Sequence, residues 1–267
     1  MRLPGLRASL YPIRVRIGLI QHNVIRPREK GLRRIVQLAN CLEGTDILLL
    51  PELFASGYGF ADRADEARAS ESEVIPLLSE MAKGLSTWVA GTVILERDGK
   101  YYNTFIILDR KGNLVHSQAK THLFRPLNEH EMFSPGNEIE GFDTEFGRLG
   151  ALICYELRFP EIARKLAKQG ARMILVPAEW PRSRVSAWRT LCRARAMENQ
   201  VFLIACNRWG GDRVFFGGCS GIYDPTGEPL IEMGDGEGVA WADIDMGALE
   251  EARASITCWN DRREELY

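Results

Sequence analysis

No two cysteines in this chain form a C-x-x-C pair, and its four histidines (His22, His116, His122 and His130) include no i, i+4 pair. The first absence removes the common zinc and dithiol patterns, and the second removes the helical metal pair. No metal and no other cofactor is therefore expected. Charge of one sign is missing too, since 34 Lys and Arg face 36 Asp and Glu for a formal net charge of −2. No basic stripe is interleaved with aromatics, so neither nucleic acid nor a membrane surface is expected as a partner. There is no apolar run of the roughly 20 residues that a membrane helix needs. The basic start, with Arg2, Arg7 and Pro12, lacks the apolar stretch of a secretory signal. Residues 1–12 read as a loose arm, and residues 13–267 as one domain with no linker or repeat. The six cysteines do not suit a disulfide framework, which belongs to short, loop-rich secreted chains. Reduced thiols and a cytoplasmic location are expected.

What is present is an alternation of short apolar runs with amphipathic stretches. Val15–Ile20, Asp46–Leu50, Thr87–Leu95, Tyr102–Asp109, Leu149–Ile153, Met173–Val176 and Val201–Cys206 have the length and β-branched content of buried strands. Leu32, Ile35, Val36, Ala39 and Leu42 recur at helical spacing, as do Val74, Ile75, Leu78, Met81 and Ala82. A third helix is predicted from Phe159, with Pro160 near its start, and a fourth over Val185–Asn199. Arg97-Asp98-Gly99-Lys100, Lys111-Gly112-Asn113 and Asp224-Pro225-Thr226-Gly227 are turn signals. Strand–helix units mixed with hairpins point to an α/β fold with mixed strand directions.

Three residues carry candidate chemistry. Cys154 follows an apolar strand and precedes a helix, where helix N–H donors lower a thiol's pKa and can hold an oxyanion. An inert cysteine at a strand end fits the same local sequence. Glu52 ends the apolar run Ile47-Leu48-Leu49-Leu50-Pro51, at the kind of strand end where α/β folds bind ligands. In a half-buried pocket its pKa would be raised, as suits a general base. Lys120, in Gln118-Ala119-Lys120-Thr121-His122, is by itself no more than an ordinary surface lysine.

Together the blocks resemble the nitrilase superfamily, the carbon–nitrogen hydrolases. The likeness rests on Leu50-Pro51-Glu52 with Ser56-Gly57-Tyr58, on Lys120-Thr121-His122-Leu123-Phe124, and on Gly150-Ala151-Leu152-Ile153-Cys154-Tyr155-Glu156-Leu157-Arg158-Phe159-Pro160-Glu161. Pro177-Ala178-Glu179-Trp180-Pro181, Arg195-Ala196-Met197-Glu198-Asn199-Gln200, Gly218-Cys219-Ser220 and Pro225-Thr226-Gly227 extend it in the family's order. The resemblance implies a four-layer α-β-β-α sandwich and a Glu52–Lys120–Cys154 catalytic set. It also implies a second glutamate, for which Glu129 fits by its place ahead of Phe133 and Pro135-Gly136, with Glu131 as rival. Glu179 departs from the pattern, since relatives often carry Asn before the Trp.

Roles follow from that likeness and from chemistry. Glu52 takes the thiol proton, Cys154 attacks, Lys120 and the Tyr155 backbone N–H hold the oxyanion, and Glu129 keeps Lys120 charged. Tyr58, Arg125 and Trp180 are candidate substrate contacts, with Arg125 placed to meet a substrate carboxylate and Trp180 as readily a core residue. His122 is expected to pack and make one hydrogen bond, and Cys41, Cys192, Cys206, Cys219 and Cys258 to be structural. Within the superfamily the chain is most similar to omega-amidase-like enzymes acting on 2-oxoglutaramate-type monoamides. N-carbamoyl compounds, aliphatic amides and nitriles are alternative substrates, and a catalytically silent interaction protein is the alternative of another class. Relatives commonly pair through helices after the cysteine, so a homodimer or larger assembly is expected, and the partner otherwise is a small-molecule amide.

Overall fold

The computed structural model describes residues 14–59, 62–211 and 214–266; the arm read at residues 1–12 lies outside them. Strand β1 (Arg14–Gln21) and helix α1 (Arg28–Asn40) come first. They are followed by β2 (Ile47–Leu49), α2 (Arg63–Ala69), α3 (Ile75–Leu85), β3 (Trp88–Arg97), β4 (Lys100–Leu108) and β5 (Leu114–Ala119). The chain continues through α4 (Glu129–Met132), β6 (Phe142–Thr144), β7 (Gly147–Ala151), α5 (Pro160–Lys168), β8 (Met173–Ala178), α6 (Val185–Asn199) and β9 (Phe202–Asn207). A ribbon of β10 (Trp209–Gly210) and β11 (Phe216–Gly217) leads to β12 (Gly221–Tyr223), β13 (Pro229–Glu232), β14 (Gly238–Asp245) and α7 (Gly247–Ser255).

Two six-stranded mixed sheets result, ordered β14-β1-β2-β3-β4-β5 and β13-β12-β9-β8-β7-β6. Alternation along the strands explains how they stack, because successive side chains leave opposite faces. Val15, Ile17, Leu19, Ile47 and Leu49 pack in one cluster with Leu149, Ala151, Val176 and Ala205 of the second sheet. Ile20, Leu48 and Leu50 point the other way, onto Leu32, Ile35 and Leu38 of α1 and Leu78 of α3. Both faces of the central strands are covered, which is why their sequences are unbroken apolar runs. On the far side of the second sheet α5 lies so close to β7 that a Cβ at Gly150 would come within 2.9 Å of the Leu166 side chain. The layers are therefore helix, sheet, sheet, helix.

The tight turns fall where the sequence signalled them. Asp98 and Gly99 take φ of 52° and 71° between β3 and β4, and Gly112 and Gly227 take 76° and 86° in theirs. α2, which the sequence did not suggest, is a charged segment of 7 residues capped by the Asp62 carboxylate accepting from the Ala64 N–H at 2.8 Å. No described helix is long and apolar enough to cross a membrane.

Candidate active site

Parallel pairing sets where the functional side chains emerge. β1, β2 and β3 run parallel, as do β7, β8 and β9, and β5 shares the direction of β3 through two antiparallel steps. Glu52 follows β2, Lys120 follows β5, Cys154 follows β7 and Glu179 follows β8. Each thus stands just past the carboxyl end of a strand.

Lys120, Glu52 and Glu129 form one buried cluster, exposed by only 1%, 0% and 0%. The Lys120 ammonium donates to Glu52 Oε1 at 2.7 Å and to Glu129 Oε1 and Oε2 at 3.0 and 2.9 Å. Glu129, the first residue of α4, also accepts from the Phe124 N–H at 2.6 Å. Glu131 is exposed, so it is Glu129 that the fold brings to Lys120. The Pro135-Gly136 turn rests on the same strand end: the Gly136 N–H donates to Lys120 O at 2.8 Å, and a Cβ at Gly136 would sit 2.4 Å from Ala119 O.

Glu52 Oε1 also accepts from the Tyr58 hydroxyl and from Asn103 Nδ2, both at 2.7 Å, and its Oε2 accepts from the Glu179 N–H at 2.9 Å. Its pKa therefore moves opposite to the rise expected for a half-buried glutamate. Burial pushes it up, but the Lys120 charge and the hydrogen bonds from Lys120, Tyr58 and the Glu179 N–H outweigh that and hold it below the ordinary value. The Tyr58 hydroxyl also lies 2.8 Å from Glu129 Oε1. Tyr58 thus bridges the two glutamates, which is a different place from the substrate wall suggested for it. Lys120 is held firmly charged; burial opposes this, and the Glu129 and Glu52 carboxylates overcome it.

Cys154 is 7% exposed and takes a left-handed φ of 48°, an unfavourable backbone for a residue with a Cβ. Leu53, next to Glu52, does the same at 42°. The segment after Cys154 is a five-residue 3-10 turn, Cys154–Arg158, with α5 beginning only at Pro160. The expected lowering of the thiol pKa by helix N–H donors is not what the site produces. Burial first, and then the neighbouring Glu52 carboxylate, push it well above the ordinary cysteine value despite Lys120. The resting group is a thiol that needs a base, and Glu52 is beside it.

Glu156, two residues on, is fully buried and ties the cysteine turn to the lysine segment. Its Oε2 accepts from the Ile153 N–H at 2.7 Å, while Oε1 accepts from the Thr121 N–H and hydroxyl at 2.6 and 2.7 Å. The sequence by itself gives Glu156 no role; a carboxylate two residues after a candidate nucleophile is the available signal. Asn103 was also missed, although Asn inside a strand, here β4 (Lys100–Leu108), is a residue type depleted in strands.

The cavity at Cys154 is lined by Phe124, Tyr155, Arg158, Glu179, Trp180 and Arg184. Trp180 serves both roles left open for it: it is 2% exposed, lines this cavity, and donates its indole N–H to Arg184 O at 2.8 Å. Arg158 lies over the Trp180 ring at 4.8 Å and Arg184 over the Phe124 ring at 5.5 Å. Among the described residues neither guanidinium is ion-paired. Arg125 instead lines a separate cavity with Thr121, His122, His130 and Phe159. Arg158 and Arg184 thus border the cavity at the thiol, and Arg125 borders the neighbouring one, with Tyr155 lining both. The His122 ring packs on Phe159 at 4.1 Å in a tilted arrangement, with its Nδ1 2.8 Å from the Thr121 hydroxyl. Of the remaining cysteines, Cys192, Cys206 and Cys219 are buried and Cys41 and Cys258 exposed, all free. Among the described residues no group of three or more His, Cys, Asp or Glu side chains is placed to hold a metal ion.

A buried glutamate–lysine–glutamate cluster beside a buried thiol can move a proton off sulfur, offer a fixed positive charge, and exclude water from both. Residues 16–254 match the carbon–nitrogen hydrolase family. The chain is 38% identical to a 2-oxoglutaramate amidase of Bacillus subtilis, over 83% of this chain and 86% of that one. It is similar in structure to a carbon–nitrogen hydrolase from Helicobacter pylori, with a TM-score of 0.90 at 25% identity over 96% and 97% of the two chains. It is also similar to a variant of the amidase from a Nesterenkonia species, whose structure shows Michael addition of acrylamide at the active-site cysteine. The TM-score there is 0.79 at 28% identity, over 91% and 98% of the chains.

Proposed function

This chain belongs to the carbon–nitrogen hydrolase family, and we propose that it is an amidase of small dicarboxylic monoamides of the 2-oxoglutaramate type, working through Cys154. The observation that carries the reading is the juxtaposition in one cavity of a thiol next to a carboxylate with two guanidiniums, Arg158 and Arg184, that have no ion-pair partner among the described residues. The substrate named for the Bacillus subtilis relative has the matching chemistry, an amide at one end and a carboxylate at the other. Glu52 takes the Cys154 proton, and the thiolate adds to the amide carbonyl. Lys120 and the Tyr155 N–H stabilise the oxyanion, Glu52 returns the proton to the departing nitrogen, and ammonia leaves a thioester. Glu52 then takes a proton from water, whose oxygen attacks the thioester, and Cys154 recovers a proton as the free acid leaves. Tyr58 and Glu129 fix the position and charge of Lys120.

An ammonia-release assay over charged and neutral amides tests the substrate. Turnover of 2-oxoglutaramate should exceed that of butyramide in kcat/KM by tenfold or more, the size of about one charge-assisted hydrogen bond. Arg158→Ala and Arg184→Ala should raise KM for the charged amide with little change in kcat or in the neutral amide, because the contact exists in ground and transition states alike. Equal kcat/KM for the two amides would exclude this substrate class.

α5 and α6 cover one outer face, and α6 carries Met197 at 55% exposure. This supports assembly of copies through that face, so light scattering at micromolar concentration should give at least twice the 30.1 kDa of the chain. A monomer under those conditions would remove the assembly and leave the chemistry standing.

A further inference from the structure

Among the described residues, the Glu179 carboxyl lines the thiol cavity with one of its two oxygens lacking a hydrogen-bond partner. It is 2% exposed, and it lines the cavity with Cys154, Arg158 and Arg184. Its Oε1 accepts from Arg208 Nη1 at 3.0 Å, and its backbone N–H is committed to Glu52 Oε2. Oε2 is buried and has no partner among the described residues. Arg208 is itself fixed, donating from Nε and Nη2 to Asn23 Oδ1 at 3.1 and 2.8 Å. Gly57, at φ 59°, closes the other side, where a Cβ would stand 2.9 Å from Arg208 Nη1 and 3.4 Å from Glu179 Oε1. The side chain is held at one oxygen and left open at the other. Buried polar atoms are rarely left without a partner, so an unpartnered one on a residue that lines the cavity points to a ligand atom as its partner.

We propose that Glu179 is a specificity-determining residue whose Oε2–H donates a hydrogen bond to an oxygen on the acyl part of the substrate, a carboxylate or keto oxygen beside Arg158 and Arg184. This rests on the substrate reading above. The proposal requires the neutral acid, since an ionised carboxylate would repel that oxygen. Burial, together with the Glu52 charge, outweighs Arg208 and Lys120 and raises Glu179 to about 8. The charged and titratable groups facing it are Arg208 after β9, Glu52 after β2, Lys120 after β5, Cys154 after β7, and Arg158 and Arg184 at the cavity rim. Neither Cys154, raised well above the ordinary thiol value, nor Lys120, raised above the ordinary amine value, changes charge near pH 8.

The test is calorimetric binding of 2-oxoglutarate, the acid left after hydrolysis, to the full chain carrying Cys154→Ala, which needs no turnover. With a group titrating at about 8, only about a tenth of the binding-competent form remains at pH 9. The dissociation constant should therefore rise about tenfold between pH 7 and pH 9. Adding Glu179→Gln, which keeps the shape and an N–H donor but cannot ionise, should flatten that dependence to within twofold. The same tenfold rise with Gln in place, or no rise with Glu179 present, would overturn the proposal. Should the Gln variant not fold, the pH series on the Cys154→Ala chain decides by itself. Equal turnover of charged and neutral amides by the wild type would exclude the substrate reading. It would leave the calorimetric result to stand or fall separately.

Discussion

Cys154→Ala is expected to abolish amide hydrolysis, a loss on the order of 10⁴-fold or more, because removing a covalent nucleophile leaves no alternative route through the same intermediate. The fold should survive. Alanine keeps the Cβ, so the left-handed backbone at φ 48° is no worse served than by cysteine, and only one sulfur leaves a site already bordering a cavity. The melting temperature should therefore change little while turnover disappears. A mass adduct on the wild-type chain identifies the sulfur directly. Acrylamide should add at Cys154, and prior acylation by a slow amide should block it. Cys206 is the internal control: it is fully buried, bonded to Ile20 O at 3.3 Å, and pushed up to about 12 by burial. Cys41 and Cys258, both exposed, should alkylate without loss of rate. Turnover by Cys154→Ala above a hundredth of wild type, or a substrate-dependent adduct at Cys206, would refute the assignment.

Why some of this was legible in the sequence and some was not follows from what each residue does. Strand runs such as Ile47–Leu49 and Met173–Ala178 are buried on both faces, so composition alone reveals them. α6 was readable to its ends because a 15-residue helix carries its own periodicity. α2 was not, since a 7-residue segment of charged residues and alanines shows no apolar stripe. Glu52, Lys120 and Cys154 were marked by a motif that no single residue's local context would have justified. The electrostatics of the site are not legible in the sequence, for a definite reason. The sequence shows that Glu52 ends a strand, but not that Lys120, Tyr58, Asn103 and the Glu179 N–H converge on it. Those partners come from as far as 127 positions away, and they reverse the sign of its pKa shift. Arg125 stands close to the lysine block along the chain, but it lines the neighbouring cavity, and the arginines at the thiol come from other segments. Spacing locates a residue on its element; only the packing of two sheets says which elements share a pocket.

That convergence gives the second large effect. Lys120→Met should reduce kcat/KM by about 10³-fold or more, since one oxyanion donor alone contributes about 10²–10³, and it should also move the pH profile. In the wild type the Glu52 carboxyl lies below its ordinary value of 4.5, so the base stays ionised until the pH falls beneath that. The stability that Glu52 gains from its partners has the same sign: a depressed folded pKa stabilises above the unfolded value and is lost as the pH drops through the folded one. With methionine at position 120 Glu52 loses the Lys120 charge, the strongest of the interactions that lower it. Burial and the adjacent Glu129 remain, and both favour the protonated acid. The residual activity should thus show an acid limb shifted upward toward neutrality. The protein should also lose stability by about 3–5 kcal/mol, the usual result of removing one partner from a buried ion cluster. Glu52→Gln should instead lose about 10²–10⁴ in rate with no acid limb from this group at all. Rate against pH on the two variants separates the lysine's effect on the base from its effect on the oxyanion. An unmoved acid limb in Lys120→Met, or more than about a tenth of wild-type activity in either variant, would mean that the cluster is structural and that the proton leaves Cys154 by another path.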